Sequence, residues 1–203
     1  MTDIYHITHV DNLASIVRAG CLVADSERIA RGMDVRIVGH RHIKDRRMRR
    51  TVDVAAGGVL GDYVPFYFCP RSVMLHSIWR GLVEGYSGGQ GEVVHLVSAI
   101  EEATDLGRPW AFTNLHAELW EAEYFDDLTE LDQLRWEIIR SDSWGGDERR
   151  MYKQAEFLIH RDFPWTAVRR IGVCSEEIMA KVEAVAGGGA HRPLASVEPR
   201  WYY

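Results

Sequence analysis

Strand-like segments gather toward both ends of this 203-residue chain, helical patterns occupy its middle, and no regular strand–helix–strand alternation runs through it. These three observations predict an α+β fold and argue against a doubly wound parallel sheet. The length suits one domain with a self-sufficient core, and no repeat, low-complexity segment or long linker divides it, so residues 1–203 read as a single unit.

Ile4 to Thr8 is the first strand candidate, with Tyr5 and Ile7 alternating with Ile4 and His6. Asp11 is placed to cap a helix whose Leu13, Ile16 and Val17 form an apolar stripe and which Gly20 ends. Residues 24–40 carry little periodicity and read as a polar loop leading into a basic segment, 41–50, read as helical. Gly57, Gly58 and Gly61 punctuate the stretch before the β-rich run 63–69, in which Pro65 places the strand at an edge or starts it later. Ser72 opens a helix through Met74, Leu75, Ile78 and Trp79 that closes near Gly81. Strands are predicted at 93–98 and 110–113, and helices at 115–120 and 127–140. The last third reads as strands at 156–162 and 168–174, a helix at 175–186 and a final strand at 194–202.

Hydrophobic residues make up 46% of the chain and charged residues 27%, which excludes a largely disordered protein. No apolar run approaches the ~18 residues of a membrane span. The opening Met-Thr-Asp-Ile-Tyr-His has no basic or apolar signal region, so the expected address is the cytoplasm. Cys21, Cys69 and Cys174 lack ligand spacing, which argues against a disulfide framework or a zinc site; each is expected as a small buried hydrophobe, and no metal is expected. Residues 41–50 hold six Lys/Arg against one Asp, a local +5 within a chain of net charge −6. Such a run is either a solvated helix face or a site for something anionic.

The phosphate-loop, dinucleotide-fingerprint, zinc-protease and nucleophile-elbow motifs are all missing. Four other segments stand out. His6 lies in an apolar strand before Thr8, as a packed residue or a ligand-binding one. Arg46-Arg47 lies in the basic run, solvated or anion-binding. In 62–68 the aromatics Phe66 and Phe68 belong to the core, leaving Tyr67 as the candidate. Glu156 begins an otherwise apolar strand, and because Glu is rarely buried without a partner it is a rim residue or a catalytic one.

Taken in order, the segments Ile4–Leu13, His42–Arg47, Gly57–Ser72, Met74-Leu75, His95–Val97, Phe112-Thr113, Gln154–Leu158 and Trp201–Tyr203 resemble the DarT family over nearly the whole chain. That family comprises bacterial toxins that attach ADP-ribose to thymidine in single-stranded DNA. The resemblance implies a mono-ADP-ribosyltransferase-like fold, with central split antiparallel sheets flanked by helices, and NAD as co-substrate. It implies Glu156 as the carboxylate that steadies the ribose cation, orients it through the 2′-hydroxyl and takes the proton from thymine N3. Arg47 is the family's active-site arginine, there to hold the NAD diphosphate or a thymine carbonyl. His6, Thr8 and Asn12 are placed in the NAD pocket, His6 donating to a ribose hydroxyl, and Tyr67 is a platform for nicotinamide. Lys44, Arg46, Arg49 and Arg50 would track DNA phosphates, with Met74 and His116 also on the DNA side, unless His116 is an ordinary histidine at a helix start. The 24–40 loop would be a lid over NAD, and its Arg28, Arg31 and Arg36, with the Gly85–Gly89 stretch, depart from the family pattern and leave the preferred base context open.

The resemblance also implies a macrodomain antitoxin (DarG in this family), and a monomer with no membrane attachment is expected. Transfer to guanine, RNA or protein, an NAD glycohydrolase, and a single-strand binding module without catalysis are the competing readings.

Overall fold

A computed structural model describes residues 1–143 and 145–203. In chain order its elements are β1 (Asp3–His9), α1 (Leu13–Ala19), β2 (Cys21–Val23), α2 (Asp25–Ala30), α3 (Arg41–Arg47), β3 (Tyr63–Tyr67), α4 (Val73–Trp79), β4 (Val93–Ala99), α5 (Ile100–Asp105), β5 (Trp110–Thr113), β6 (Tyr124–Phe125), α6 (Trp136–Ile139), α7 (Asp147–Tyr152), β7 (Glu156–His160), β8 (Asp162–Pro164), β9 (Arg170–Val173), α8 (Glu176–Ala186) and β10 (Leu194–Val197).

Eight strands form one mixed sheet in the order β10-β9-β4-β1-β3-β7-β5-β6, while β2 and β8 pair separately. Its pairs are antiparallel except β9–β10, which α8 connects as a crossover. β4 is buried along its whole length, and β7 is buried from Glu156 to Ile159, as expected of strands covered on both faces. Phe66, Phe112, Phe157 and Phe163 fill the interior between them.

The sheet is split in its middle. β1 pairs with β4 over seven residues and β3 with β7 over five, but β1 and β3 meet at a single pair, Tyr5 and Tyr67. This is the split antiparallel arrangement the resemblance implied, and a cleft opens along the seam. Pro65 fits the same geometry. It lies inside β3, yet its carbonyl faces β1 and accepts from the His6 ring, and a residue's N and C=O point to the same side of a strand. Its missing N–H therefore falls where the seam leaves no ladder partner, so Pro65 behaves as an edge residue within a central strand.

Several element expectations need correction. Asp11 does not cap α1; a 3-10 turn at Val10–Asn12 comes first, capped by His9, whose Nδ1 accepts from Asp11 N. Residues 24–40 are not all loop, because α2 forms within them. The helix expected at 115–120 is a series of turns, since the Ala117 N–H is taken by Glu156 and not by a helical carbonyl. The 127–140 helix divides into a 3-10 turn at Leu128–Gln133 and α6, with Leu134 extended between them. β7 ends at His160 because Arg161 adopts a left-handed φ of 68° and turns the chain into β8. β10 stops at Val197, before the 3-10 turn of Pro199–Trp201. Strands also come from the middle of the chain, and β2, β6, α5 and α7 carried no pattern that predicted them. Of the cysteines only Cys69 is buried; Cys21 and Cys174 are half-buried, and all three are free thiols. No helix among the described residues is long and apolar enough to cross a membrane.

Candidate active site

Glu156 occupies the first position of β7, opposite Tyr67 of β3. Its backbone N–H donates to Thr113 Oγ1 at 3.2 Å, and the residue is only 1% exposed. Burial of a carboxylate at that depth requires donors, and two supply three hydrogen bonds: Arg47 Nη1 reaches both carboxylate oxygens at 3.0 and 2.9 Å, and Ala117 N donates to Oε1 at 3.1 Å. The rim alternative for Glu156 is thereby excluded.

Arg47 comes from α3, a seven-residue helix with no acid in its first turn and no side-chain cap, too short to be stable alone. Tertiary ion pairs hold it instead. Lys44 Nζ meets Asp25 at 2.6 Å, Arg46 grips Glu118 through Nε and Nη2, and Arg47 meets Glu156. Just beyond the helix, Met48 packs so closely on Gly61 that any Cβ there would collide with its sulfur. Arg47 is 8% exposed, and its Nη2 is buried with no acceptor. Burial would lower the Arg47 pKa, but the charge and hydrogen bonds of Glu156 outweigh it and raise the pKa above its ordinary value.

One cleft contains this pair together with His6, Thr8, Asn12 and Tyr67, so the early, middle and late segments of the chain converge there. Burial lowers the His6 pKa to about 4, so its ring is neutral near pH 7. With Nδ1–H donating to Pro65 O at 2.8 Å, Nε2 carries no proton. His6 is therefore an acceptor toward the cleft, not the donor the sequence suggested. Asn12 is also reassigned: its Nδ2 donates to Thr8 Oγ1 at 3.1 Å and to Arg36 O at 2.8 Å, while its Oδ1 accepts from Arg36 N. Both ends of the amide are engaged in pinning the 31–40 loop over the cleft. Tyr67 lines the cleft, and its pKa is raised by burial and by the Glu156 charge, keeping the phenol neutral.

The residues expected along DNA divide. Lys44, Met74 and His116 line the same cleft, with Lys44 neutralised by Asp25. His116 Nε2 lies 3.8 Å from Glu156 Oε1, and its pKa is lowered, chiefly by burial. The Arg46 side chain, 52% exposed, is committed to Glu118. Arg50 lies half-buried against Trp120 and Tyr124, its guanidinium 5.6 and 5.8 Å from their ring centres. Arg49 is exposed with no ion pair among the described residues. A continuous phosphate track along the basic run is thus not what the segment forms, since carboxylates within the fold already neutralise Lys44, Arg46 and Arg47. Arg28, Arg31 and Arg36 are likewise paired, with Asp25, Glu27 and Asp11.

Sequence reasoning missed Asp25, Thr113 and the Ala117 amide. A backbone donor leaves no trace in residue type, and Asp25 sits in a segment with no periodicity.

A family model described as "DarT: ssDNA thymidine ADP-ribosyltransferase, DarT" matches residues 5–203. The chain is 43% identical over 205 residues to a DNA ADP-ribosyl transferase of Thermus sp. (strain 2.9), covering 100% of this chain and 96% of that one. Its structure is similar to that of Thermus sp. 2.9 DarT in complex with ADP-ribosylated ssDNA, with a TM-score of 0.94, 42% identity, and 100% and 96% coverage. It is similar to the same DarT in complex with NAD+ at a TM-score of 0.89 and 40% identity, covering 100% and 98%. With its split sheet, its buried glutamate–arginine pair and a match over nearly every residue, this chain belongs to the DarT family of single-stranded-DNA thymidine ADP-ribosyltransferases.

Proposed function

We propose that this chain, as one domain acting in the cytoplasm, transfers ADP-ribose from NAD to N3 of thymine in single-stranded DNA. The observation that carries the reading is the buried Arg47–Glu156 pair with one guanidinium nitrogen, Nη2, left without an acceptor in a cleft shared with His6 and Tyr67.

NAD enters the cleft beneath the loop that Asn12 holds. Its diphosphate faces the wall that carries Arg28, Arg36 and Lys44, which exchange their carboxylate partners Asp25 and Asp11 for phosphate oxygens when NAD binds, and nicotinamide lies on the Tyr67 ring. His6 Nε2 accepts from a ribose hydroxyl, and the Thr8 hydroxyl, still free to donate, makes a second sugar contact. As the bond from nicotinamide to ribose C1′ breaks, its electron pair leaves with the neutral nicotinamide and positive charge grows on the ribose. Glu156 stabilises that charge in a site where water does not screen it. Nη1 is bound to Glu156 and Nη2 has no acceptor, so Nη2 is the group of Arg47 left to take a thymine carbonyl beside the reacting carboxylate. Thymine N3 bonds to C1′ and its proton passes to Glu156, with His116, neutral near pH 7, as the nearest onward acceptor. Single-stranded DNA suits the site because N3 is not engaged in base pairing. Family membership also supports a macrodomain antitoxin as partner.

Incubating the protein with NAD and oligonucleotides of mixed sequence, followed by intact and fragmentation mass spectrometry, tests the reading. The expected result is one ADP-ribose on thymine with stoichiometric nicotinamide release. Modification confined to guanine, RNA or protein, or nicotinamide release at full rate without nucleic acid, would overturn it.

A further inference from the structure

We infer that Trp120 is a stacking platform for the nucleobase flanking the target thymine. The inference rests on the reading of the cleft as a DNA-modifying site and adds to it a neighbouring base subsite.

Trp120 is 83% exposed, more than any other large hydrophobic side chain among the described residues. An indole in water has no folding role that accounts for it, yet the loop bearing it is closely tied. Asn114 and Glu123 close the neck of that loop, Nδ2 donating to Oε2 at 2.6 Å and Glu123 N to Asn114 Oδ1 at 3.1 Å. Within the loop, Leu119 N bonds to His116 O and Ala122 N to Leu119 O, and the Tyr124 hydroxyl donates to Ala117 O. Arg50 reaches the Trp120 carbonyl at 3.4 Å and places its guanidinium over the indole. One face of the ring is thus backed by a cation while the side chain as a whole stays open to solvent, which is a preorganised aromatic surface and not a mobile one.

Its position relative to the chemistry is fixed by the same loop. Ala117 N bonds to the Glu156 carboxylate, and three residues of chain span at most about 11 Å, so Trp120 lies within that reach of Ala117. Trp120 stands outside the lining of the cleft, so a strand that places thymine N3 at Glu156 brings a neighbouring base, not the thymine itself, within reach of the indole. A base on the indole would have the Arg50 cation behind the ring and the exposed Arg49 side chain close by in sequence for its phosphate, and Glu118 on the same loop is already neutralised by Arg46. Stacking tolerates any base, but its strength grows with ring size, so purines are favoured over pyrimidines at this position.

The test combines Trp120→Ala and Trp120→Phe with thymine-containing oligonucleotides in which each flanking nucleotide in turn is replaced by an abasic site. Trp120→Ala is expected to lower kcat/KM for DNA by roughly 5- to 150-fold, the loss of one stacked base. Trp120→Phe should recover most of it, and NAD affinity measured by titration should not change. At one flanking position the abasic substitution and Trp120→Ala should be non-additive, together costing no more than either alone. Additive losses at every position, or a Trp120→Ala enzyme within twofold of the parent on all oligonucleotides, would overturn the platform while leaving the assignment of the cleft intact. If the parent enzyme modifies no oligonucleotide, the assignment of the cleft fails first and the platform with it.

Discussion

Arg46 and Arg47 are neighbours in one short helix, each bound to a glutamate far away in sequence, yet they belong to different worlds. The outward arginine keeps half its side chain in water, although its partner Glu118 is only 15% exposed. The inward one is sealed against Glu156, a carboxylate that solvent does not reach. Exposed pairs of the first kind contribute about 0–1 kcal/mol, because water and salt already stabilise both partners. In a buried pair the attraction is offset by desolvation, but removing one partner strands a charge and costs about 3–5 kcal/mol. Identical chemistry one residue apart is thus surface decoration on one face of α3 and the centre of the site on the other, and only the face decides.

The strongest way to break this contrast is at Glu156. Glu156→Ala leaves Arg47 charged and buried, so a loss of about 3–5 kcal/mol is expected, a drop in Tm on the order of 6–20 °C for a chain of this size. Transfer should fall by about 10²–10³-fold or more, as for other removed electrostatic stabilisers of a transition state. Glu156→Gln keeps an acceptor oxygen for Arg47 and should recover much of the stability but little of the transfer. Thermal unfolding by circular dichroism and oligonucleotide mass spectrometry separate the two effects. A Glu156→Gln enzyme that transfers at the parent rate would remove the carboxylate from the chemistry.

A smaller effect probes inward-facing groups through pH. Burial lowers the pKa values of His6 and His95 to about 4, against about 6.5 in an unfolded chain. Between those values the unfolded state binds more protons, so the stability these rings contribute is complete above pH 6.5 and is lost progressively as pH falls toward 4. For His95, which is wholly buried between Tyr202 and the Pro70 carbonyl, the loss is on the order of 3 kcal/mol; His6 contributes less because it borders the cleft. The urea midpoint should therefore fall between pH 7.5 and 5, and His95→Gln should flatten that dependence. An unchanged slope would mean that His95 binds protons alike in the folded and unfolded chain, its pKa not lowered by burial.

Much of this arrangement was legible in the sequence, for identifiable reasons. His6, Tyr67 and Glu156 sit in strands, where a polar or phenolic group among apolar neighbours shows as a break in pattern, and all three line the cleft. β5 was predicted with its observed bounds, and α4 with its Ser72 cap, since both depend on local signals. The basic run misled because composition reports charge but not the partners that cancel it: Asp25, Glu118 and Glu156 come from three distant segments. Asn12 misled differently, since its amide was read as a ligand contact when the Arg36 backbone already satisfies both ends of it. The turns at 115–120 escaped because what breaks the helix there is a hydrogen bond to a residue 39 positions away.

The smallest expected effect is also the sharpest control on the contrast between the two arginines. Arg46→Gln, Glu118→Gln and the double variant form a cycle whose coupling should be about 0.2–1 kcal/mol, no more than about 4 °C in Tm. At 1 M salt the Debye length shrinks to about 3 Å, and the coupling should largely vanish, whereas the destabilisation by Glu156→Ala should persist because solvent ions cannot enter that pair. Glu118 lies on the loop that also carries the Ala117 amide. A coupling well above 1 kcal/mol, or one insensitive to salt, would therefore mean that the outward pair holds this loop against the site, and the division of α3 into two faces would have to be redrawn.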